Sequence, residues 1–250
     1  MLAIDFEFDV VRRFLFDDVI IEGAWLTLQI AVLAQVLGVA LGVLFALMRI
    51  SRNPAARAAS GFYVWFFRGT PALLQLFILY FGVPQLFDNH TVTTELSAFR
   101  AAIIAFGVNE GAYMSEIVRA GILSVEGGQM DAAKSLGMTH MQAMRRIILP
   151  QAMRVVVPPT GNEFIAMLKN SSLAAAIGVT ELLGASRLIY SVNFKIMELL
   201  VVAAIWYLAF TTVFSILQAE LERALAIGER DRPQTLFSRA MTAMGGGPRI

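Results

Sequence analysis

A small set of polar and ionisable residues interrupts an otherwise apolar chain, and any chemistry must lie with them. Asn109, Glu110, Tyr113 and Glu116 fall close together, and Asn109, Tyr113, Glu116 and Ala120 share one face of a helix. Further on, Thr160, Glu163 and Met167 share one helical face, while Asn162, Ala166 and Lys169 share another. Carboxylates, amides and hydroxyls in such an arrangement bind a polar or cationic ligand, so these two segments read as walls of a polar cavity. Bond-making chemistry has no comparable set of residues. The chain has no cysteine, so thiolate metal sites, disulfides and a cysteine nucleophile are excluded. His90 and His140 are far apart, no HExxH occurs, and no G-x-x-x-x-G-K-[ST] loop is present to cradle a nucleotide. No catalytic residue, metal site or cofactor is expected.

The elements that must position these side chains follow from composition. Hydrophobic residues make up 57% of the 250, charged residues 16%, and the mean hydropathy is +0.66. An ordinary soluble domain has roughly 25% charged residues. The bilayer is therefore the expected solvent, with room for about five crossings at about 20 residues each and no large extramembrane domain. Twenty basic against nineteen acidic residues give a near-balanced charge with no clustered basic surface, so no nucleic acid is expected as a partner.

Charge-free runs mark three spans: Gly23 to Met48, Gly69 to Phe87 entered through Gly61–Phe67, and Leu199 to Ala219. Two more carry the polar residues, Ala101 to Leu123 and Val155 to about Val179. In the last, Pro158, Pro159 and Gly161 predict a broken or partly unwound helix. Arg49, Arg52 and Arg57 follow the first span, whereas Asp5, Glu7, Asp9, Asp17, Asp18 and Glu22 precede it against only Arg12 and Arg13. The positive-inside rule then puts the N-terminus outside and, after five spans, the C-terminus in the cytoplasm. The chain divides into an N-terminal interfacial segment (1–19), with Phe6, Phe8, Val11, Phe14 and Leu15, a membrane body (20–225) and a cytoplasmic tail expected to be disordered (226–250). The Gly38–Gly42 spacing fits close helix packing, at a dimer interface or inside one bundle.

Ser124 to Pro150, between the third and fourth spans, reads SVEGGQMDAAKSLGMTHMQAMRRIILP. A short helix is predicted from about Gln129 to Leu136, preceded by Gly127-Gly128, with Asp131 in its first turn and Gly137 at the C′ position. A second helix starts near Thr139 with Met141, Met144, Ile147 and Ile148 at helical spacing, and Pro150 interrupts or redirects it. Ala132, Ala133 and Gly137 are small enough for another protein to approach this backbone closely; a turn and helix packed on its own bundle is the alternative.

Asp131-Ala132-Ala133, then Gly137, Ile147 and Leu149-Pro150, match in spacing the cytoplasmic EAA loop of permease subunits of ATP-driven importers. Phe67-Arg68-Gly69-Thr70-Pro71 with Gln75-Leu76-Phe77, Ala112-Tyr113 with Glu116 to Ile122, and Gly161 to Ile165 leading to Lys169-Asn170-Ser171-Ser172-Leu173 extend the likeness. The chain resembles the polar amino acid uptake family over about residues 20 to 225. It departs at Asp131, where glutamate is usual, and at Glu126-Gly127, where a Pro-Lys pair is common.

The resemblance implies an all-α integral membrane fold and a coupling helix seated on a separate ATP-binding cassette subunit. Asp131, Ala132, Ala133, Gly137, Ile147, Leu149 and Pro150 would transmit that subunit's motion to the spans. It also implies an extracytoplasmic amino acid binding protein, a second permease copy or paralogue, and a multi-pass location in a bacterial inner membrane. Asn109, Glu110, Tyr113, Glu116, Thr160, Asn162 and Glu163 are then candidates for the substrate path. Glu163 or Glu110 would take the substrate's amino group, and free backbone N–H groups at a broken helix its carboxylate. Structural roles stand beside these: Glu116 with Arg119 as an i,i+3 pair, Arg68 reaching the inner interface and Lys169 the outer one. Two rival functions are an ion-coupled secondary transporter and a non-transporting membrane assembly subunit.

Overall fold

Side-chain caps set where the helices begin. In the computed structural model, which describes residues 6–86, 96–125 and 127–225, Asp17 accepts from Val19 N at 3.0 Å and starts α2, Asp18–Ile50. Asn53 accepts from Ala55 N at 2.9 Å, with Pro54 in the first turn, and starts α3, Pro54–Gly69. Ser97 accepts from Arg100 N and starts α5, Ala98–Leu123. A short α1, Phe8–Phe14, precedes α2. Helix α4, Ala72–Leu86, follows α3. The rest is α6, Gly127–Ser135; α7, His140–Ile177; α8, Leu182–Asn193; and α9, Ile196–Leu225. No strand occurs among the described residues.

Helices α2 and α9 are each long and apolar enough to cross a membrane. Two bent pairs pass the same test together, α3 with α4 at 103° and α7 with α8 at 45°, so two to four spans follow from length and composition. Helix α5 is long enough, but Asn109, Glu110, Glu116 and Arg119 make it less apolar than α2 and α9. It is sheltered by its neighbours: one cluster joins Ile30 and Ala34 of α2, Leu76 of α4, Phe106 of α5 and Leu168 of α7. A second joins Val11 of α1, Ile20 of α2, Leu182 of α8 and Val202 of α9.

Gly38 and Gly42 are used inside the bundle. A Cβ on Gly38 would lie 2.5 Å from Glu110 Cγ, and one on Gly42 would lie 2.4 Å from Met114 Cβ and 2.9 Å from its carbonyl carbon. Helix association in lipid relies on close packing, because lipid tails are as apolar as leucine. Gly42→Ala is expected to cost about 1–3 kcal/mol, since α5 backbone must move. Thermal denaturation in detergent checks this, with Gly128→Ala, whose Cβ meets nothing within 4 Å, as the neutral control.

Three expectations need correction. Helix α7 is not unwound at the diproline: it is α-helical from Leu149 to Asn170, with Pro158 and Pro159 inside it. Beside the diproline, Gln218 Nε2 on α9 donates to Pro158 O at 3.1 Å, and Thr160 Oγ1 of the same helix to Val156 O at 2.8 Å. The sharp break lies between α3 and α4 instead. Pro150 does not interrupt its helix either. A π turn, Met144–Ile148, widens just before it, and the helix runs on. Helix α6 starts earlier than expected, with Gly127-Gly128 in its first turn. The N-terminal segment packs against α9: Trp206 Nε1 donates to Leu15 O at 2.8 Å, and Lys195 Nζ lies 2.6 Å from Glu7 Oε1. Phe8 and Phe16 remain exposed for an interfacial role. The tail 226–250, Asp5, His90 and Glu126 lie outside the described residues.

Gly137 does end α6. Its φ is +79°, and the bonds Met138 N to Ala133 O and Gly137 N to Lys134 O form a Schellman motif. Thr139 and Gln142 form a capping box that starts the next helix.

Candidate functional site

A cavity of about 510 Å³ opens where α3, α5 and α7 meet at the α3–α4 bend. Helix α5 contributes Phe106, Asn109, Glu110 and Tyr113; α7 contributes Glu163, Met167 and Asn170; the bend contributes Arg68 through Ala72. Glu110 is buried, 4% exposed, and accepts from Gln35 Nε2 at 3.4 Å. The Arg68 guanidinium stands 5.2 Å from the centre of the Tyr113 ring, a cation–π arrangement. The wall thus carries one fixed cation and two carboxylates, with a phenol and two amides beside them. Such a set can hold a small zwitterion, and none of its members is placed as a nucleophile with a base. No group of three or more His, Asp or Glu residues fit to hold a metal occurs among the described residues.

Of the residues singled out from the sequence, Asn109, Glu110, Tyr113 and Glu163 meet at this cavity. Glu116 does not. It accepts from Arg119 Nη2 at 2.6 Å and from Nε at 3.0 Å, as an i,i+3 pair. Thr160 bonds its own helix and lines a separate apolar crevice of about 280 Å³ against α9. Asn162 is exposed, its amide 3.4 Å from Pro158 O. Arg68, for which the sequence suggested a reach to the inner interface, lines this cavity where the chain turns 103° directly after it. Met167, placed on the face of Glu163 from the sequence, lines the cavity with it; Asn170 was not singled out, and its i,i+7 spacing from Glu163 was the available signal.

Two buried carboxylates escaped the sequence reading, Glu181 and Glu198, and the first joins three helices. Glu181, fully buried, caps α8 by accepting from Gly184 N at 2.9 Å and Leu183 N at 3.0 Å. Tyr207 OH of α9 and Thr27 Oγ1 of α2 donate to it at 2.8 and 3.3 Å. An acid just before Leu182-Leu183, shortly after Gly178, was the helix-start signal.

On α6, Asp131 and Ala132 are exposed, whereas Ala133 is fully buried within the chain's own bundle. Leu136 and Met141 stand out at 79% and 73% exposure beside Gly137. In α7, Ile147 is half-buried, and Leu149 and Pro150 are exposed. The exposed edge of the loop is therefore Asp131, Ala132, Leu136, Gly137 and Met141, and Ala133 belongs to the inward face.

Residues 38–227 match the family described as "Binding-protein-dependent transport system inner membrane component". The chain is 43% identical over 244 residues to the arginine transport system permease protein ArgU of Corynebacterium glutamicum, covering 94% of this chain and 76% of that protein. It is 41% identical to the probable amino-acid permease protein YxeN of Bacillus subtilis, over 90% of this chain and 98% of that one. Among solved structures, a chain of an amino acid ABC transporter crystallised with histidines superposes with a TM-score of 0.78 at 38% identity, over 89% of this chain and 100% of that one. The MetNI methionine ABC transporter, at 21% identity and a TM-score of 0.65, shares the fold. The chain belongs to the family of inner-membrane components of binding-protein-dependent transport systems.

Proposed function

We propose that the chain forms, with a second permease copy or paralogue, the path by which a cationic amino acid enters the cell, and that the cavity at the α3–α4 bend is its binding site. Family membership makes the chain a multi-pass permease subunit of an ABC importer; ATP is hydrolysed on a separate subunit, and no bond in the substrate is made or broken. That membership also weighs against the ion-coupled and the non-transporting readings. In this reading the body 20–225 crosses the membrane five times, with α5 as the central span, the N-terminus outside and the C-terminus in the cytoplasm. A binding protein delivers substrate from outside, and α6 docks on the ATPase through Asp131, Ala132 and Gly137, with Ile147, Leu149 and Pro150 carrying motion into α7.

The observation that carries the reading is the charge pattern of the cavity wall: Arg68 against Glu110 and Glu163. A cationic amino acid carries one carboxylate and two positive groups, the complement of that wall. Arg68 would take the carboxylate, and the two glutamates the α-ammonium and the side-chain cation. The arginine and histidine named for two relatives agree with this class. Reconstituted with its ATPase and binding protein in proteoliposomes, the chain carrying Arg68→Ala or Glu163→Gln is expected to import L-arginine about tenfold more slowly, the loss of one charged contact. Wild-type uptake in both variants would reject the site.

A further inference from the structure

We infer that Gln75, which lies outside the cavity wall, is the positioning residue that sets Arg68 in it. The inference rests on the cavity reading for its functional consequence and on the α3–α4 bend for its geometry. A helix leaves its last carbonyls without partners, and Pro71 has no N–H to offer them. Within an apolar layer each bare carbonyl is costly, so a 103° bend there needs donors from side chains. The structure supplies three. Thr70 Oγ1 donates to Phe66 O at 2.9 Å. Gln75 Nε2 shares its two hydrogens among Phe67 O at 2.9 Å, Thr70 O at 3.0 Å and Thr70 Oγ1 at 2.7 Å. Asn109 Nδ2 donates to Phe67 O at 2.8 Å and to Gln75 Oε1 at 3.1 Å.

The pattern brackets two residues. Gln75 holds the carbonyl before Arg68 and the carbonyl after Gly69, so the backbone that carries the guanidinium is pinned on both sides. Gln75 itself is only 7% exposed, and both N–H groups of Asn109 are committed to the same knot, which takes Asn109 from substrate ligand to support. A rigid backbone at this point fixes the distance between the single cation and the carboxylates of α5 and α7, on which discrimination by charge pattern depends.

The chain has no cysteine, so Arg68→Cys provides a unique thiol reporter of that position. In the full permease–ATPase complex, Gln75→Leu, or the same-length apolar Gln75→Met should Leu fail to assemble, is expected to change the rate at which a cationic methanethiosulfonate modifies Arg68→Cys by at least fivefold. With Arg68 present, the same change is expected to lower L-arginine uptake about tenfold, and to lower it less than twofold further when added to Arg68→Ala. A purely structural residue would instead give losses that multiply. An unchanged labelling rate, or multiplying losses, overturns the inference. Altered labelling with wild-type uptake in Arg68→Ala would support the positioning of residue 68 and reject the cavity as the substrate site.

Discussion

Ala132→Trp is expected to abolish ATP-driven uptake while leaving the melting temperature of the purified chain within a few degrees of wild type. Ala132 lies on the exposed side of α6, so an indole there points away from its own chain's core and into a docked partner. Blocking the centre of a packed interface costs about 2–4 kcal/mol, roughly 30- to 1,000-fold in affinity. Ala133, one position on, is fully buried, so Ala133→Trp is expected to fail in folding instead. The contrast between adjacent alanines separates docking from stability. Gly137→Trp would not separate them, because a side chain at φ +79° carries strain of about 1–2 kcal/mol. The measurement is co-purification of the ATPase with the tagged permease, together with uptake in proteoliposomes. If Ala132→Trp retains both, α6 is not the docking element.

What the sequence revealed and what it hid divide along a physical line. Interactions within a few residues were legible: the Gly137 stop, the Thr139 cap, the Glu116–Arg119 pair and the charge-free runs of α2 and α9 all depend on local spacing. Long-range facts were not. Helix α7 runs on through Pro158-Pro159, packed on an α9 whose Gln218, 60 residues away, bonds Pro158 O; local sequence shows nothing of that neighbour. Whether Gly38 and Gly42 face a second copy or their own bundle depends on where Glu110 and Met114 come to rest. Arg68 belongs with these: that it lines the cavity depends on a 103° turn directly after it, and no periodicity in the sequence encodes that turn. Two of the expected path residues, Glu110 and Glu163, were visible because a carboxylate in an apolar span needs a reason to be there.

Glu181→Ala is expected to be the most destabilising single substitution where α2, α8 and α9 meet. The carboxylate holds two backbone amides at the start of α8 and two hydroxyls from α2 and α9, and Thr27 in turn accepts from Leu182 N at 3.1 Å. Three helices therefore meet on one side chain that is fully buried. Alanine would strip the acceptor from all four donors in a place where water cannot replace it. At about 1–3 kcal/mol for each buried group left unsatisfied, and with some relaxation, a loss of roughly 3–5 kcal/mol follows. For a chain of this size that is a fall of about 10 °C or more in melting temperature. Tyr207→Phe removes one donor and leaves the acceptor with the others, so it is expected to cost only about 1 kcal/mol, whereas Thr27→Val also strips the acceptor from Leu182 N and is expected to cost about 2–3 kcal/mol. Glu181→Gln keeps one acceptor oxygen but turns an NH₂ group toward N–H or O–H donors, and should fall between. Melting curves in detergent give the order: Tyr207→Phe highest, Thr27→Val and Glu181→Gln between, and Glu181→Ala lowest. A Glu181→Ala protein melting within 2 °C of wild type would mean that α8 is held by packing alone. The close approach of Gly23 to Ala185, where an added Cβ would come to 2.6 Å, would then be its anchor instead.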